Sequence, residues 1–390
     1  MDLSPDDLKN LQVSKLCEIA RDGDTPPAIM MALINHTEMV RIALAENTNL
    51  SENVKAMLLN DSCLYVRSSL ARYQTLTASH LHLLLIDHAD VRSSLASNES
   101  LNLETFQQLA SDSTQAIRVR VAENPNAPIA VLDALSKGLY WERAAVAANH
   151  NTSRSTLSVL ATDPDVPVRM AVAKNPHTPT ETLILQAQDQ SQKVLMALIE
   201  RESLSTEVID ALIVNADDDV REAIANNRYL NAHHTEILSH DESAEVRVTL
   251  ASNPLLSTKV FKTLAQDTFS WVRYGLLENA VLPPSTLLSL LCADPVQGVR
   301  SRAIELARRK PLDYWLSENI SLSQNWVLDN QNVQTGDILL RNDMHSAYQA
   351  IQAAELERKI CTHAVPPHQT PPAECINQRH DGFRSKRRFL

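Results

Sequence analysis

The chain has little glycine, few aromatic side chains and no long apolar run, and each shortage removes a class of protein. Six glycines in 390 residues are too few for the tight turns of a mixed α/β enzyme. An aromatic content of 4% is sparse for strands and ligand pockets. No stretch of eighteen apolar residues occurs, so no membrane partner is expected. The start, Met1-Asp2-Leu3-Ser4-Pro5-Asp6-Asp7, is acidic where a secretory signal needs positive charge before an apolar run, and the expected location is the cytoplasm. Five cysteines (Cys17, Cys63, Cys292, Cys361 and Cys375) are scattered without CxxC spacing, which argues against a disulfide framework. GxGxxG, P-loop, Gly-x-Ser-x-Gly and His-Glu-x-x-His patterns are missing too. The recognisable enzymes are thereby set aside.

What the chain has instead is a period. An octet of the form Val-Arg-x-x-Leu/Val-Ala-x-Asn begins at Val40, Val66, Val91, Ile117, Glu142, Val168, Val194, Val220, Val246 and Val272, with degenerate copies at Lys15 and Val299. Spacings of 25 to 27 residues mark a helical repeat array, in which recurrence reports architecture before chemistry. Val168, Val172 and Ala173 and their equivalents follow the i, i+4, i+5 spacing of a buried helical stripe. The residue ahead of the Leu/Val is small in most copies (Ala43, Ser69, Ala145, Gly275), as expected where neighbouring helices approach closely. An Asn closes most octets, as at Asn47, Asn98, Asn124, Asn149, Asn175, Asn227 and Asn253, and the sequence predicts that it ends the first helix in a left-handed conformation.

Four residues on stands a column of helix-start residues, Ser51, Thr77, Asn102, Pro128, Ser153, Pro179, Ser205, Asn231, Ser257 and Pro283. A second helix of about ten residues follows, with apolar residues at i, i+3, i+4 as in Leu157, Leu160 and Ala161.

An Asp sits six positions before most repeat arginines: Asp61 and Arg67, Asp112 and Arg118, Asp163 and Arg169, Asp241 and Arg247, Asp267 and Arg273. Charges recurring at one place can pair within and between repeats as a structural ladder; the competing reading is a phosphate-binding arginine row.

The line Asp163-Pro164-Asp165-Val166-Pro167-Val168-Arg169-Met170-Ala171-Val172-Ala173-Lys174-Asn175-Pro176-His177-Thr178-Pro179, followed by Leu183, resembles the leucine-rich repeat variant, a HEAT-like bacterial repeat. The resemblance covers about three quarters of the chain. It implies an all-α, right-handed solenoid that alternates a short 3₁₀-like helix with an α-helix, acting as a binding surface and implying no reaction. The founding type carries an N-terminal cysteine cluster with an iron–sulfur centre; only Cys17 lies near the N-terminus here, so that cofactor is not carried over and none is expected. The HEAT likeness also brings two enzyme groups into view. Deoxyhypusine hydroxylases hold iron with His-Glu dipeptides, which this chain lacks. DNA-alkylation glycosylases use Trp and Asp on a basic face. The second-helix residues expected to face outward here, His82, Gln107, Asp133, Ser158, Ile184, Asp210, Glu236 and Lys262, are not basic.

The expected organisation is an N-terminal cap (1–14), the repeat solenoid (15–307), a C-terminal capping segment (308–361) read as irregular chain and one helix, and a disordered basic tail (362–390). That tail carries five basic against two acidic side chains, leaving the remainder near −14 and hostile to phosphate backbones.

Two groups of residues could meet a partner. Glu181 and Glu207 are equivalents in adjacent repeats, as are Asp210 and Glu236, and together they could form an acidic ridge for a basic protein or peptide; the alternative is a solvated face. Trp141, Trp271 and Tyr65 each precede an octet, and are either partner anchors or rings folded back on the solenoid. His80 and His234 stand in a column otherwise held by valines such as Val54 and Val208, and read as half-buried spacers. Cys361, His363, His368 and Cys375 could be drawn as a zinc site, but their spacing matches no familiar pattern and no metal is expected. The function expected is a non-catalytic protein- or peptide-binding scaffold. A nucleic-acid binder or alkylation-type glycosylase, and a metal- or Fe–S-associated accessory protein, are the alternatives.

Overall fold

The octet's apolar stripe dictates the first helix of each repeat. In a computed structural model describing residues 4–328 and 331–363, the octets lie in helices such as Glu38–Ala45, Ala89–Ala96, Val166–Lys174 and Ala244–Ala251. Their Val, Leu and Ala side chains are buried, as at Val40, Leu44 and Ala45 or Val246, Leu250 and Ala251. Each buried Val or Leu contributes roughly 1.5–3 kcal/mol. The helices are α-helical, whereas the resemblance implied a 3₁₀-like element. Positions i and i+4 align only at 3.6 residues per turn; a 3₁₀ helix, which eclipses i and i+3, would turn the Leu away from its Val. Among the described residues the 3₁₀ helix is Asp7–Asn10, in the N-terminal cap, where the Asp7 carboxylate accepts from the Ser4 N–H at 2.8 Å and its hydroxyl at 2.7 Å.

The second helices start where the capping column predicts. Thr77, Asn102, Ser153, Asn231 and Ser257 each accept, through a side-chain oxygen, the N–H three residues on. Pro128, Pro179 and Pro283 take the same place with no donor to satisfy.

Twenty-six α-helices and one two-stranded hairpin make up the described residues, so the chain is an all-α repeat solenoid. It divides into two compact units, residues 1–220 and 221–390. Within the first unit, octet helices from Val13–Arg21 through Gln192–Ile199 pack each on the next. The second unit stacks Ala244–Ala251, Ser270–Leu277 and Gln297–Arg309 in the same way. The approach is close enough that a Cβ on Gly275 would stand 3.2 Å from the Ala251 Cβ and 3.3 Å from the Val248 carbonyl, which is why this column is small.

The closing segment is richer than expected. Helix Leu312–Leu316 is followed by an antiparallel hairpin pairing Asn325–Leu328 with Gln331–Gln334, then by helices Thr335–Arg341 and His345–His363. The Trp326 indole N–H donates to the Thr335 hydroxyl at 2.8 Å, tying the hairpin to the helix after it. The tail from residue 364 and the side chains of Cys361, His363, His368 and Cys375 lie outside the described residues.

Candidate functional site

Two hydrogen-bonded ladders consume most of the recurring polar residues, and what they leave over defines the available surface. In the first, eight repeat arginines place their Nε and Nη2 edge on the aspartate of the following repeat. Arg67 donates to both Asp87 carboxylate oxygens at 2.7 and 2.8 Å, and Arg41 to Asp61, Arg92 to Asp112, Arg143 to Asp163, Arg169 to Asp189, Arg221 to Asp241, Arg247 to Asp267 and Arg273 to Asp294 likewise. Nη1 reaches back to the carbonyl six residues earlier, as Arg67 to Asp61 and Arg247 to Asp241, both at 2.6 Å. The six-residue pairs read from the sequence thus meet through a carbonyl oxygen, and the ion pair forms one repeat on. The reason is that each carboxylate is already pinned by its own chain: Asp61 Oδ1 accepts the Cys63 N–H at 2.8 Å, leaving its outer side to the preceding repeat.

These side chains are largely buried and each pair is held in a fixed fork, and the carboxylate raises Arg41, Arg67, Arg92, Arg143, Arg169, Arg247 and Arg273 above their ordinary value. Asp87 is held below the usual carboxylate range, chiefly by the Arg67 guanidinium. At Asp61 burial pushes upward, but Arg41 and the Cys63 N–H outweigh it. With both edges of the guanidinium occupied, these arginines have no free fork for a phosphate.

The second ladder belongs to the asparagines. Asn124, Asn149 and Asn175 have extended backbones with φ of −66°, −74° and −68°, so the left-handed ending predicted from sequence is not adopted. Their buried amides reach back instead. Asn149 Nδ2 donates to the carbonyls of Ala122 and Asn124 at 2.7 and 2.8 Å, and Asn175 to those of Ala147 and Asn149 at 2.8 and 2.9 Å. Oδ1 accepts the N–H two residues on, as from Asn151 and His177. Gln74 makes the same two donations to Ala45 and Asn47, and Arg201 to Ala173 and Asn175. The helix-end carbonyls of Ala45, Ala122, Ala147 and Ala173, which would otherwise be orphaned, are satisfied in this way.

The four carboxylates read as an acidic ridge differ in their surroundings. Glu181 and Glu207 are exposed in the first unit. Glu236, in the second unit, is paired with Lys259, and Asp210 is half-buried. Residues expected to face outward on the second helices also stitch repeats together: Asp133 accepts from Ser153 at 3.3 Å and from Thr156, and Ser158 bonds Thr182 at 2.7 Å. His80 is half-buried and His234 buried, its Nδ1 accepting the Asn231 N–H at 3.2 Å as a helix cap.

The aromatic column stands free. Trp141 is 60% exposed, Tyr65 60% and Trp271 62%, all in the first turns of octet helices and not folded back. Trp141 leans on Tyr140 with ring centroids 4.6 Å apart, and Trp271 meets Tyr274 edge-on at 5.8 Å. Sequence reasoning missed Met39, which holds the same place one repeat before Tyr65 and is as exposed. A second apolar column was missed as well. One residue past the expected outward position, Met57 and Leu83 are exposed in adjacent repeats, and so are Val159 and Leu185. Spacing alone points to this column once the outward direction is shifted by one helical residue.

Fold and surface together define a helical repeat protein, with no metal-ligating cluster and no membrane-crossing helix among its described residues. No family model and no curated protein matches the chain. Among solved structures it is similar to one described as a leucine-rich repeat variant with a novel repetitive protein structural motif, 24% identical over 57% of this chain and 87% of that one, with a TM-score of 0.43. It is also similar to an engineered protein, 15% identical over 76% of this chain and 98% of that one, with a TM-score of 0.12.

Proposed function

We propose that the protein is a non-catalytic scaffold that holds a protein or peptide on the faces of its repeats. The observation that carries this reading is the set of exposed apolar residues at equivalent places in the first unit, Met39 and Tyr65 with Trp141 on the first helices, and Met57 with Leu83 and Val159 with Leu185 on the second. Apolar residues standing in register on successive repeats, beside polar residues already committed to ladders, suit a partner that buries side chains. A phosphate backbone would need free cations, and most repeat arginines are spent within the fold.

The test is capture of a partner from the native cell by the full chain and by Trp141→Ala and Tyr65→Ala variants. A hot-spot aromatic is worth about 2 kcal/mol, so each variant should bind the partner roughly 30-fold more weakly while folding normally. Equal binding by all three proteins, or recovery of small metabolites alone, would overturn the reading.

A further inference from the structure

Arg201 departs from every other arginine of the ladders. It occupies the closing position of its octet, where neighbouring repeats carry Asn149, Asn175 and Asn227, and Leu195 stands in that octet's arginine position. Through Nη1 it performs the asparagine's task, donating to the carbonyls of Ala173 and Asn175. The Nε and Nη2 edge, which in Arg41, Arg67, Arg92, Arg143, Arg169, Arg247 and Arg273 grips a carboxylate, has no partner among the described residues. Its Nε is out of contact with solvent and unbonded. Arg300, at the last octet, also lacks a carboxylate, but its Nε is not sealed from water in this way. Burial leaves the Arg201 guanidinium below the usual arginine value, while carboxylates hold the rung arginines above it.

A concavity adjoins it. Arg201 lines a depression of about 470 Å³ with Lys174, Pro176, Ala197, Glu200 and Glu202. A second, of about 230 Å³, shares the walls Lys174, Ala197 and Glu200 and adds Met170, Met196 and Lys193. Lys174 and Glu200 pair at 2.8 Å between the two, which leaves Lys193 and Arg201 against Glu202.

We infer that Arg201 is a recognition site for a carboxylate carried by a peptide, with Met170, Met196 and Pro176 giving the flanking residues apolar contact. As in each rung, Nη1 stays on carbonyl oxygens, and the unbonded Nη2, which is not sealed as Nε is, is the donor that a carboxylate from another molecule can reach from the depression. Glu200 and Glu202 at the rim disfavour a polyphosphate chain, so an acidic side chain or a chain terminus is the fitting ligand. The inference rests on the scaffold reading, since it names what one part of the partner carries.

The test titrates the full chain with acetyl-Ala-Leu-Glu-Leu-Ala-amide and with its Gln analogue, following the Arg201 Nε–H resonance by NMR. The expected result is a saturable downfield shift with the Glu peptide, at least tenfold weaker with the Gln peptide. Arg201→Asn restores the neighbouring repeats' residue and its two carbonyl bonds, so it should fold normally and lose the preference for Glu. Equal response to the two peptides, or an Arg201→Asn protein that still prefers Glu, overturns the inference. Inorganic phosphate serves as a third probe, and a stronger response to it than to the Glu peptide also overturns it. Loss of this peptide preference with partner capture still dependent on Trp141 would sink the carboxylate site and leave the scaffold standing.

Discussion

Glu142 and Gly138 exchange roles: the carboxylate that other repeats supply from an aspartate at the position of Gly138 comes here from Glu142, four residues later. Arg118 donates Nε and Nη2 to Glu142 Oε1 at 3.0 and 2.7 Å, and Oε2 accepts the Leu139 N–H at 3.1 Å. A Cβ on Gly138 would lie 1.8 Å from that Oε2. The glycine is required because the glutamate, which replaces an octet valine, fills the space.

The exchange predicts a strong coupling. Glu142→Val alone strands the half-buried Arg118 and should cost about 3 kcal/mol, while Gly138→Asp alone should destabilise through collision with Glu142. The double variant rebuilds an ordinary rung, so urea unfolding should find it more stable than either single variant by more than 1 kcal/mol. Additive losses would refute the exchange.

The asparagine ladder predicts large losses from a small truncation. Asn149→Ala removes two donations and one acceptance inside the core, leaving the Ala122 carbonyl without its donor and the Asn124 carbonyl with the Ala127 N–H alone. Each stranded group costs about 1–3 kcal/mol, so the denaturation midpoint should fall well beyond what an exposed Asn151→Ala change produces. Equal effects at the two sites would show that the ladder contributes nothing.

Acid should loosen the arginine ladder. Asp87, Asp61, Asp112 and Asp267 are all held below their ordinary value in the folded chain. Their contribution is therefore complete above the unfolded value of about 3.9 and is lost as pH falls through the lower native values. Urea midpoints at pH 7 and 5 should show no loss from these groups, and the midpoint at pH 3 should drop, with a smaller drop in Asp87→Asn. An unchanged midpoint at pH 3 would contradict the account.

Thiol chemistry should sort the cysteines by environment. Burial pushes the Cys292 thiol up to about 12, whereas Cys63 is half-buried in the loop before its octet helix. Iodoacetamide on the native protein should alkylate Cys63 on the order of tenfold faster or more, since the thiolate is the reactive form. Mass spectrometry of timed digests gives the order, and equal rates would mean that Cys292 is not sealed.

The sequence shows what a period can show. The Val-Leu-Ala stripe and the capping column lie within one repeat and obey local rules, and the small residue at Gly275 recurs wherever neighbouring helices meet, so all three were readable from spacing. Bonds that cross repeats were not. Nothing in the octet says that Asn149 reaches back to Ala122, or that Arg67 grips Asp87 ahead and not Asp61 behind, because periodicity is indifferent to direction along the stack. Arg201 was invisible for the same reason: its significance is the bond it lacks. The hairpin at Asn325–Gln334 escaped because its strands are four residues long, too short for alternation to register. The column with Met57 and Leu83 escaped because it stands one residue past the outward positions such as His82 and Ser158, which are exposed themselves, and one residue on a helix is a turn of about 100°.

The asparagine ladder also governs how such a chain can change length. Asn175 donates to the Asn149 carbonyl, Asn149 to that of Asn124 and Asn124 to that of Asn98, so each amide is clasped to the one before it. Removing part of a repeat would set two links out of step, whereas excising a whole one lets the flanking links join as before. The unit of growth or deletion is therefore the complete helix pair, and an array altered in whole pairs keeps every interior clasp it needs.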